Sequence, residues 1–500
     1  MPNLGFQLAE SAETYPGAAA LRCQGGTTTY SQLADLVRRF AEFLVHQGIR
    51  PGDRVCLMLP NRPEFVVLFY SVLHEGAVVV PMNPRQSARE VEFFLFNTGA
   101  KMLFFAPECA TAAIAGALAA GVRALTIDSE ALAFHASGVA GFSRPLPRAG
   151  DDTAVILHTS GTTGVPKGAQ LTHNNLFCNQ GVVARSLLDI GPNDVVMGCL
   201  PLFHVFGLTC GLLTATCAGA TLALLPRFDP VEALQMIAAE RVTIFQGVPT
   251  MYIAMLASAD RDDADASSLR VCVSGGAAMP VEVLRAFEDR FGCTVLEGYG
   301  LSETSPAVCF NRPGRMRKVG SIGTPIDGVQ MRIVDEDGNN VLVGTPGEIQ
   351  VRGHNVMKGY WNLPDATDAA IKDGWFCTGD IGRVDEDGFY YIVDRKKDLI
   401  IRGGYNVYPR EVEEVLHEHP AIAEAVVIGI PDDSLGEEVG AAVVLNRDVA
   451  ADGEELRDFV KCRVAAYKYP RHVWIVDSLP TGPTGKVLRR EVQPPPREEI

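Results

Sequence analysis

Short apolar segments alternate with segments of helical period through the first hundred residues, and that alternation admits few architectures. Residues 55–59, 77–80 and 102–106 are unbroken apolar runs, too short for helices and suited to buried strands. Leu33, Leu36, Val37, Phe40 and Leu44 recur on one helical face, with Ser31 placed to cap that helix and Gly48 to stop it. Pro63–His74 and residues 88–96 repeat the helical pattern. Strands apolar on both faces and joined by helices predict parallel sheets covered on both sides.

The Gly- and Pro-rich stretch 138–150 reads as a surface connection, and residues 154–157 as another buried strand. A charged stretch at 394–402 then interrupts the apolar strands. Beyond it the chain restarts as a small α/β unit. Pro409 opens a helix with Val412, Val415 and Leu416 inward, and 425–430, 441–445 and 472–476 read as strands. Asp452 with Glu455 starts a helix carrying Leu456, Phe459, Val460 and Val464. The tail from Pro494 onward has the composition of a disordered segment. The expected fold is therefore α/β, with a large N-terminal domain (residues 1–395) of mixed and parallel sheets flanked by helices. A small C-terminal α/β domain (396–500) follows.

Composition sets limits on function. Five hundred residues at 47% apolar content exceed a usual single domain, and the net charge of −16 argues against nucleic acid or an anionic membrane as a general partner. Twelve cysteines without a C-x-x-C pair indicate neither a zinc site nor a redox dithiol, and fit reduced thiols in a cytoplasm. The amino terminus lacks a basic region, and Glu10 and Glu13 follow, so a secretory leader is not predicted. Residues 205–225 carry no charge, yet they are rich in Gly, Thr, Cys and Ala. They are expected to form a buried helix and strand rather than a transmembrane span. Peripheral membrane contact is left open for an enzyme of lipid substrates.

Chemistry concentrates in Thr159-Ser160-Gly161-Thr162-Thr163-Gly164-Val165-Pro166-Lys167-Gly168. Small and hydroxylic residues leave backbone N–H groups uncovered for a polyanion, the hydroxyls add donors, and Lys167 adds positive charge. The spacing is not that of the P-loop, because Gly-Lys-Ser/Thr does not follow Gly161 at the required distance. Four more motifs follow: Tyr299-Gly300-Leu301-Ser302-Glu303-Thr304, Thr378-Gly379-Asp380, Asp394-Arg395-Lys396-Lys397-Asp398 running to Arg402-Gly403-Gly404-Tyr405, and Pro483-Thr484-Gly485-Lys486. In this order they resemble the signatures of the adenylate-forming enzymes: acyl- and aryl-CoA ligases, luciferases and non-ribosomal adenylation domains. The resemblance spans essentially the whole chain and is most like a fatty-acid–CoA ligase.

That resemblance implies a two-step reaction using ATP, Mg²⁺ and coenzyme A. A carboxylate attacks the α-phosphate of ATP, and the acyl-adenylate then passes its acyl group to a thiol. Two anions must meet in the first step, so catalysis rests on positioning and on cations and dipoles aimed at the phosphoryl oxygens. Thr159, Ser160, Gly161, Thr162, Thr163, Gly164 and Lys167 would hold the phosphates. Gly276 and Ala277 would wall the adenine and acyl site, and Tyr299 would stack on adenine. Ser302, where the family more often has Thr, would contact the α-phosphate, and Glu303 would hold the metal. Asp380 and Arg395 would approach the ribose. Lys486 would bridge carboxylate and α-phosphate, Lys397 would be the hinge of a mobile C-terminal domain, and Gly403 and Gly404 would line the pantetheine channel. Lys468 is a further partner for a coenzyme A phosphate.

His204 is expected near the substrate carboxylate or the acyl entry. No tryptophan follows Tyr299-Gly300 to shorten the pocket, and no acid between 202 and 220 would hold an amino group. A long apolar pocket follows, with medium- to long-chain fatty acids as first choice and aryl or arylpropenoic acids as second. An acyl-AMP ligase loading a separate carrier protein is the rival within the family. A non-catalytic sensor is the rival outside it, opposed by the presence of Lys486, Glu303 and Asp380. His158 stands where the family usually has an aromatic residue.

Overall fold

Strands that are apolar on both faces need cover on each, and the N-terminal part of the chain provides it with two layered sheets. The computed structural model describes residues 3–137, 141, 144–159, 166–259, 265–432, 434–447, 449–482 and 487–495. Part of the expected connection (138–140 and 142–143) and the end of the expected tail (496–500) lie outside them.

A seven-stranded sheet runs Gly359–Tyr360, Lys167–Thr172, Thr153–Thr159, Val78–Pro81, Arg54–Met58, Met102–Phe105, Arg123–Thr126. Its first two pairings are antiparallel and the other four parallel, so only Lys167–Thr172 runs against the rest. A nine-stranded sheet runs Thr324–Pro325, Ala307–Phe310, Thr294–Gly300, Val271–Ser274, Ile244–Gly247, Val195–Gly198, Thr221–Leu224, Ala19–Cys23, Gly26–Thr29. Its six central strands are parallel. One continuous apolar core joins the two sheets. The helix Pro63–His74 lies within it, with every residue after Pro63 buried.

A third sheet, antiparallel throughout, comprises Val329–Val334, Gly347–Gly353, Trp375–Val384, Ile371–Lys372 and Tyr390–Arg395. The small C-terminal domain carries the fourth: Tyr405–Val407, Ile400–Arg402, Gly436–Leu445, Ile422–Asp432 and, in parallel, His472–Ile475. The helices Pro409–His417 and Gly453–Lys461 cover one face of it through Val412, Leu416, Leu456 and Val460. The Asp452 carboxylate accepts the Glu455 amide at 2.8 Å, as the capping pattern predicts.

Two local expectations change. The helix expected to be capped by Ser31 instead begins at Tyr30. Thr29 is its cap, accepting the Gln32 amide at 3.3 Å while the Gln32 side chain accepts the Thr29 amide at 2.8 Å. The start is pulled back by the buried Tyr30, whose hydroxyl donates to the Ala220 carbonyl at 2.7 Å. The uncharged stretch 205–225 is a buried helix and strand as expected, but its first part, Phe206–Leu213, is a π-helix. Among the described residues no helix is long and apolar enough to cross a membrane.

Candidate active site

The three sheets of the large domain bring their ends together at one place. Thr294–Gly300 of the nine-stranded sheet carries Tyr299 next to its end, and Trp375–Val384 of the antiparallel sheet carries Asp380. Asp380 sits opposite Arg395 in the ladder. That strand is longer than the 382–384 segment legible in the sequence, so Asp380 is held inside a strand rather than in a turn. The Tyr299 hydroxyl donates to Asp380 Oδ2 at 2.6 Å, and Arg395 Nε lies 3.3 Å from Oδ1. Burial, and then the Asp380 charge, push the Tyr299 phenol well above its ordinary range, so it remains a donor.

The seven-stranded sheet supplies the second group. Thr159 and Lys167 face one another at the loop end of their hairpin, and Tyr360 lies on the edge strand beside it. Glu303 is the centre. Its Oε1 accepts the Thr159 hydroxyl at 3.2 Å and the Tyr360 hydroxyl at 3.0 Å, while its Oε2 has no hydrogen bond among the described residues. Lys167 Nζ stands 5.2 Å from the centre of the Tyr360 ring. Gly300 lets the chain turn into the short helix Ser302–Thr304, because a side chain there would collide with the Pro306 carbonyl. Ser302 is half-buried at the start of that turn, beside Glu303.

Gly276 and Ala277 are exposed in the turn after Val271–Ser274, at the C-terminal edge of the parallel strands. Ligands of open α/β sheets settle at this kind of edge. The Phe206 ring lies against neighbouring Gly275, where an added Cβ would meet Cε1 at 3.1 Å. His204, half-buried, accepts the Phe206 amide on Nδ1 at 3.3 Å, which puts the ring proton on Nε2. His158 packs on Phe94 at 4.1 Å between centroids, with Nε2 3.2 Å from Asn97 Oδ1. Burial lowers its pKa to about 4, so it is neutral and fills an aromatic position. Ser160, Gly161, Thr162, Thr163, Gly164 and Lys486 lie outside the described residues.

Past Arg395 the chain makes an exposed turn through Lys396 and Lys397, secured by the Asp398 amide donating to the Arg395 carbonyl at 3.0 Å. Buried Asp394, just before it, accepts the backbone amides of Arg395 and Arg410 at 2.7 and 2.9 Å, tying the linker to the helix Pro409–His417. Gly403 and Gly404 form the two-residue turn of a hairpin, at φ +55° and +83°, as left-handed turn positions require. Lys468 is not free for a phosphate. Its Nζ donates to both Glu411 oxygens at 2.7 Å.

Two residues of the site were not foreseen. Tyr360 belongs to no motif and reaches Glu303 only because a two-residue strand extends the sheet edge. Glu297, two residues before Tyr299, is buried and accepts the Gly320 amide at 2.9 Å. Burial raises its pKa to about 7, against the nearby Arg410 and Arg317 and assisted by Glu414. An unfolded glutamate ionises near 4.5, so between that pH and about 7 the folded chain binds more protons and loses stability as pH rises. Glu297→Gln is therefore expected to be more stable than the parent by about 1–3 kcal/mol above pH 7 and by far less at pH 5. Thermal unfolding at pH 5 and pH 8 checks this, and an equal gain at both would refute it.

The first family model matching the chain is that of the AMP-binding enzymes, over residues 8–361, and the AMP-binding enzyme C-terminal domain matches 411–486. The chain is 39% identical to a long-chain-fatty-acid–CoA ligase of Bacillus subtilis, covering 98% of this chain and 94% of that protein. It is 40% identical to a feruloyl-CoA synthase of Amycolatopsis, covering 98% of each. Among solved structures, ATP-bound MatB from Rhodopseudomonas palustris superposes with a TM-score of 0.91 at 32% identity over 98% of both chains. With two family models spanning most of its length and relatives matched end to end, the chain belongs to the AMP-binding, adenylate-forming enzyme family.

Proposed function

We propose that this protein is an AMP-forming acid–thiol ligase that activates a medium- to long-chain fatty acid as its adenylate and transfers the acyl group to coenzyme A. The convergence of Tyr299, Asp380 and Arg395 with Thr159, Lys167 and Glu303 carries the reading. In it, Tyr299 stacks on adenine and Asp380 exchanges its present partners for the ribose hydroxyls. Arg395 approaches the same ribose. Lys167 and the loop from Thr159 to Gly164 neutralise the phosphates.

Glu303 fits a magnesium ion. It offers a hard oxygen, Oε2, on a carboxylate whose other oxygen is oriented by two hydroxyls. Among the described residues no cluster of three ligating side chains competes with it. The ion would be held by Glu303 and the phosphates and would offset phosphoryl charge. Ser302 donates to the α-phosphate, and Lys486 places the acid's carboxylate in line with it. His204 is expected at the acyl entry, with Phe206, Gly276 and Ala277 along the wall. Gly403 and Gly404 are expected on the pantetheine path.

The domains divide at Arg395, and Lys397 is the hinge. Changing Lys397 to proline is expected to leave adenylate formation within about threefold of the parent and to slow thioester formation by at least about tenfold, as fits a conformational step. Separate assays of pyrophosphate release and acyl-CoA formation check it. A defect confined to ATP affinity would remove the hinge.

The feruloyl-CoA synthase relative favours an aryl acid as the second reading. A cytoplasmic location with peripheral membrane contact belongs to the same proposal, and a separate carrier protein is the alternative acceptor. The deciding experiment gives the purified protein ATP, Mg²⁺, coenzyme A and an equimolar mixture of fatty and aromatic acids, and reads the products by mass spectrometry. Fatty acyl-CoA products support the proposal, and aryl-CoA products replace its substrate. Adenylates alone point to a carrier acceptor. No product of any kind overturns the ligase.

A further inference from the structure

The residues on either side of Lys486 are paired with one another. Thr481 bridges antiparallel to Val487, and the Leu488 amide donates to the Pro480 carbonyl at 2.8 Å. Leu479 and Val492 are buried with Val426 and Ile428 on one face of the fourth sheet, and Val487 packs beside them. Among these anchors stands Arg489, at the start of the short helix Arg489–Glu491 and three residues after Lys486.

The Arg489 guanidinium meets two carboxylates from different parts of the fold. Its Nη2 donates to Glu413 Oε1 at 2.7 Å. Glu413 lies on the helix Pro409–His417, and the same oxygen accepts the Val427 amide at 2.7 Å, so this contact stays within the small domain. The other arm, Nη1, is completely buried and has no hydrogen bond among the described residues. It lies 3.7 Å from Asp394 Oδ1, on a side chain only 4% exposed. Asp394 belongs to Tyr390–Arg395 of the third sheet, one residue before Arg395. Burial raises the Asp394 pKa, and Arg489 is the first charge to oppose that rise. The same is true of Glu413. A buried cationic nitrogen without a bond is costly unless an opposite charge faces it, and the charge facing Nη1 belongs to the other domain.

We propose that Arg489 is a positioning residue for adenylate formation: held by Glu413, it faces Asp394 across the domain boundary and fixes the base of the Lys486 segment against the strand that ends in Arg395. The inference rests on the ligase reading and deepens it. Asp394 and Arg395 are neighbours on a strand whose ladder partner carries Asp380, so Arg489 relates the lysine to the nucleotide end of the site. Adenylation needs one ammonium held between two anions, where an error of about 1 Å is expensive. Thioester formation makes no such demand on Lys486. The loss of Arg489 should therefore fall on one half-reaction.

The test measures the two half-reactions separately on the full-length protein, with the acid that the parent uses best. Arg489→Met keeps the stem and removes the charge. It is expected to slow adenylate formation about tenfold in kcat, with KM for ATP within about twofold and transfer from supplied acyl-adenylate within about threefold. Asp394→Asn leaves the Arg489–Glu413 pair intact and is expected to slow the same step by at least about threefold. The double variant is expected to lose no more than Arg489→Met alone, because both changes break one interaction. Should Arg489→Met fail to fold, with Glu413 left buried and unpaired, Asp394→Asn decides the matter. Losses that multiply in the double variant, or that fall equally on both half-reactions, would overturn the inference and leave the ligase intact. So would unchanged adenylation in either folded variant, or a defect confined to ATP affinity. A parent that forms no adenylate would overturn the ligase reading and the inference with it.

Discussion

Lys486→Ala is expected to slow adenylate formation by roughly 10²–10³-fold, the loss that follows removal of one preorganised group from a developing anionic centre. Transfer to coenzyme A from a supplied acyl-adenylate should stay within about threefold of the parent, because the carboxylate and phosphate have by then been joined. The argument is electrostatic. The acid and the α-phosphate repel, and a single ammonium on a flexible stem can sit between them and then withdraw. Stopped-time assays of the two half-reactions separate the effects, and an equal loss in both would contradict this role.

Glu303→Gln should be nearly as damaging, by roughly 10²-fold in adenylation, but with a different signature. Glutamine keeps the shape and can still accept the Thr159 and Tyr360 hydroxyls that orient Oε1. What it removes is the negative charge that a hard cation requires. The magnesium concentration for half-maximal rate is therefore expected to rise at least about tenfold, with transfer from supplied adenylate less affected. A titration of pyrophosphate release against Mg²⁺ reads this directly, and an unchanged midpoint would relocate the metal.

What the sequence disclosed follows from which patterns burial imposes. Strands such as Arg54–Met58 and Met102–Phe105 are covered on both faces, so they stand out as apolar runs. Strands covered on one face do not. Val329–Val334 carries Gln330 and Arg332 outward, with Arg332 bonding Gln350 and lying over Trp375, and no apolar run announces it. The π-helix at Phe206–Leu213 was hidden for another reason, since its carbonyl at Cys210 is held by Gln246 from another strand.

The site divides in the same way. Motif residues such as Tyr299, Glu303 and Asp380 were legible through resemblance, but their partners were not. Tyr360 lies 57 positions from Glu303 in sequence and enters by sheet pairing alone. Lys468 looked available for a phosphate because charge is visible in a sequence and its neutralisation by Glu411, also 57 positions away, is not. His158 departs from the usual aromatic, yet its neutral ring on Phe94 does the packing an aromatic would do.

The meeting of three separately hydrogen-bonded layers at one seam has a thermodynamic corollary. In the proposed site, a nucleotide touching Tyr299, Thr159 and Asp380 together would bind only when all three sheets are docked, so its affinity would measure that docking. Damage far from the seam, for instance in the enclosed helix Pro63–His74, would appear as weakened nucleotide binding before any loss of chemistry. By mass action, saturating nucleotide would offset such damage, by about 2.7 kcal/mol at a hundredfold excess over Kd. On the proposed reading, the substrate of the first half-reaction would also be a fastening between the layers that bind it.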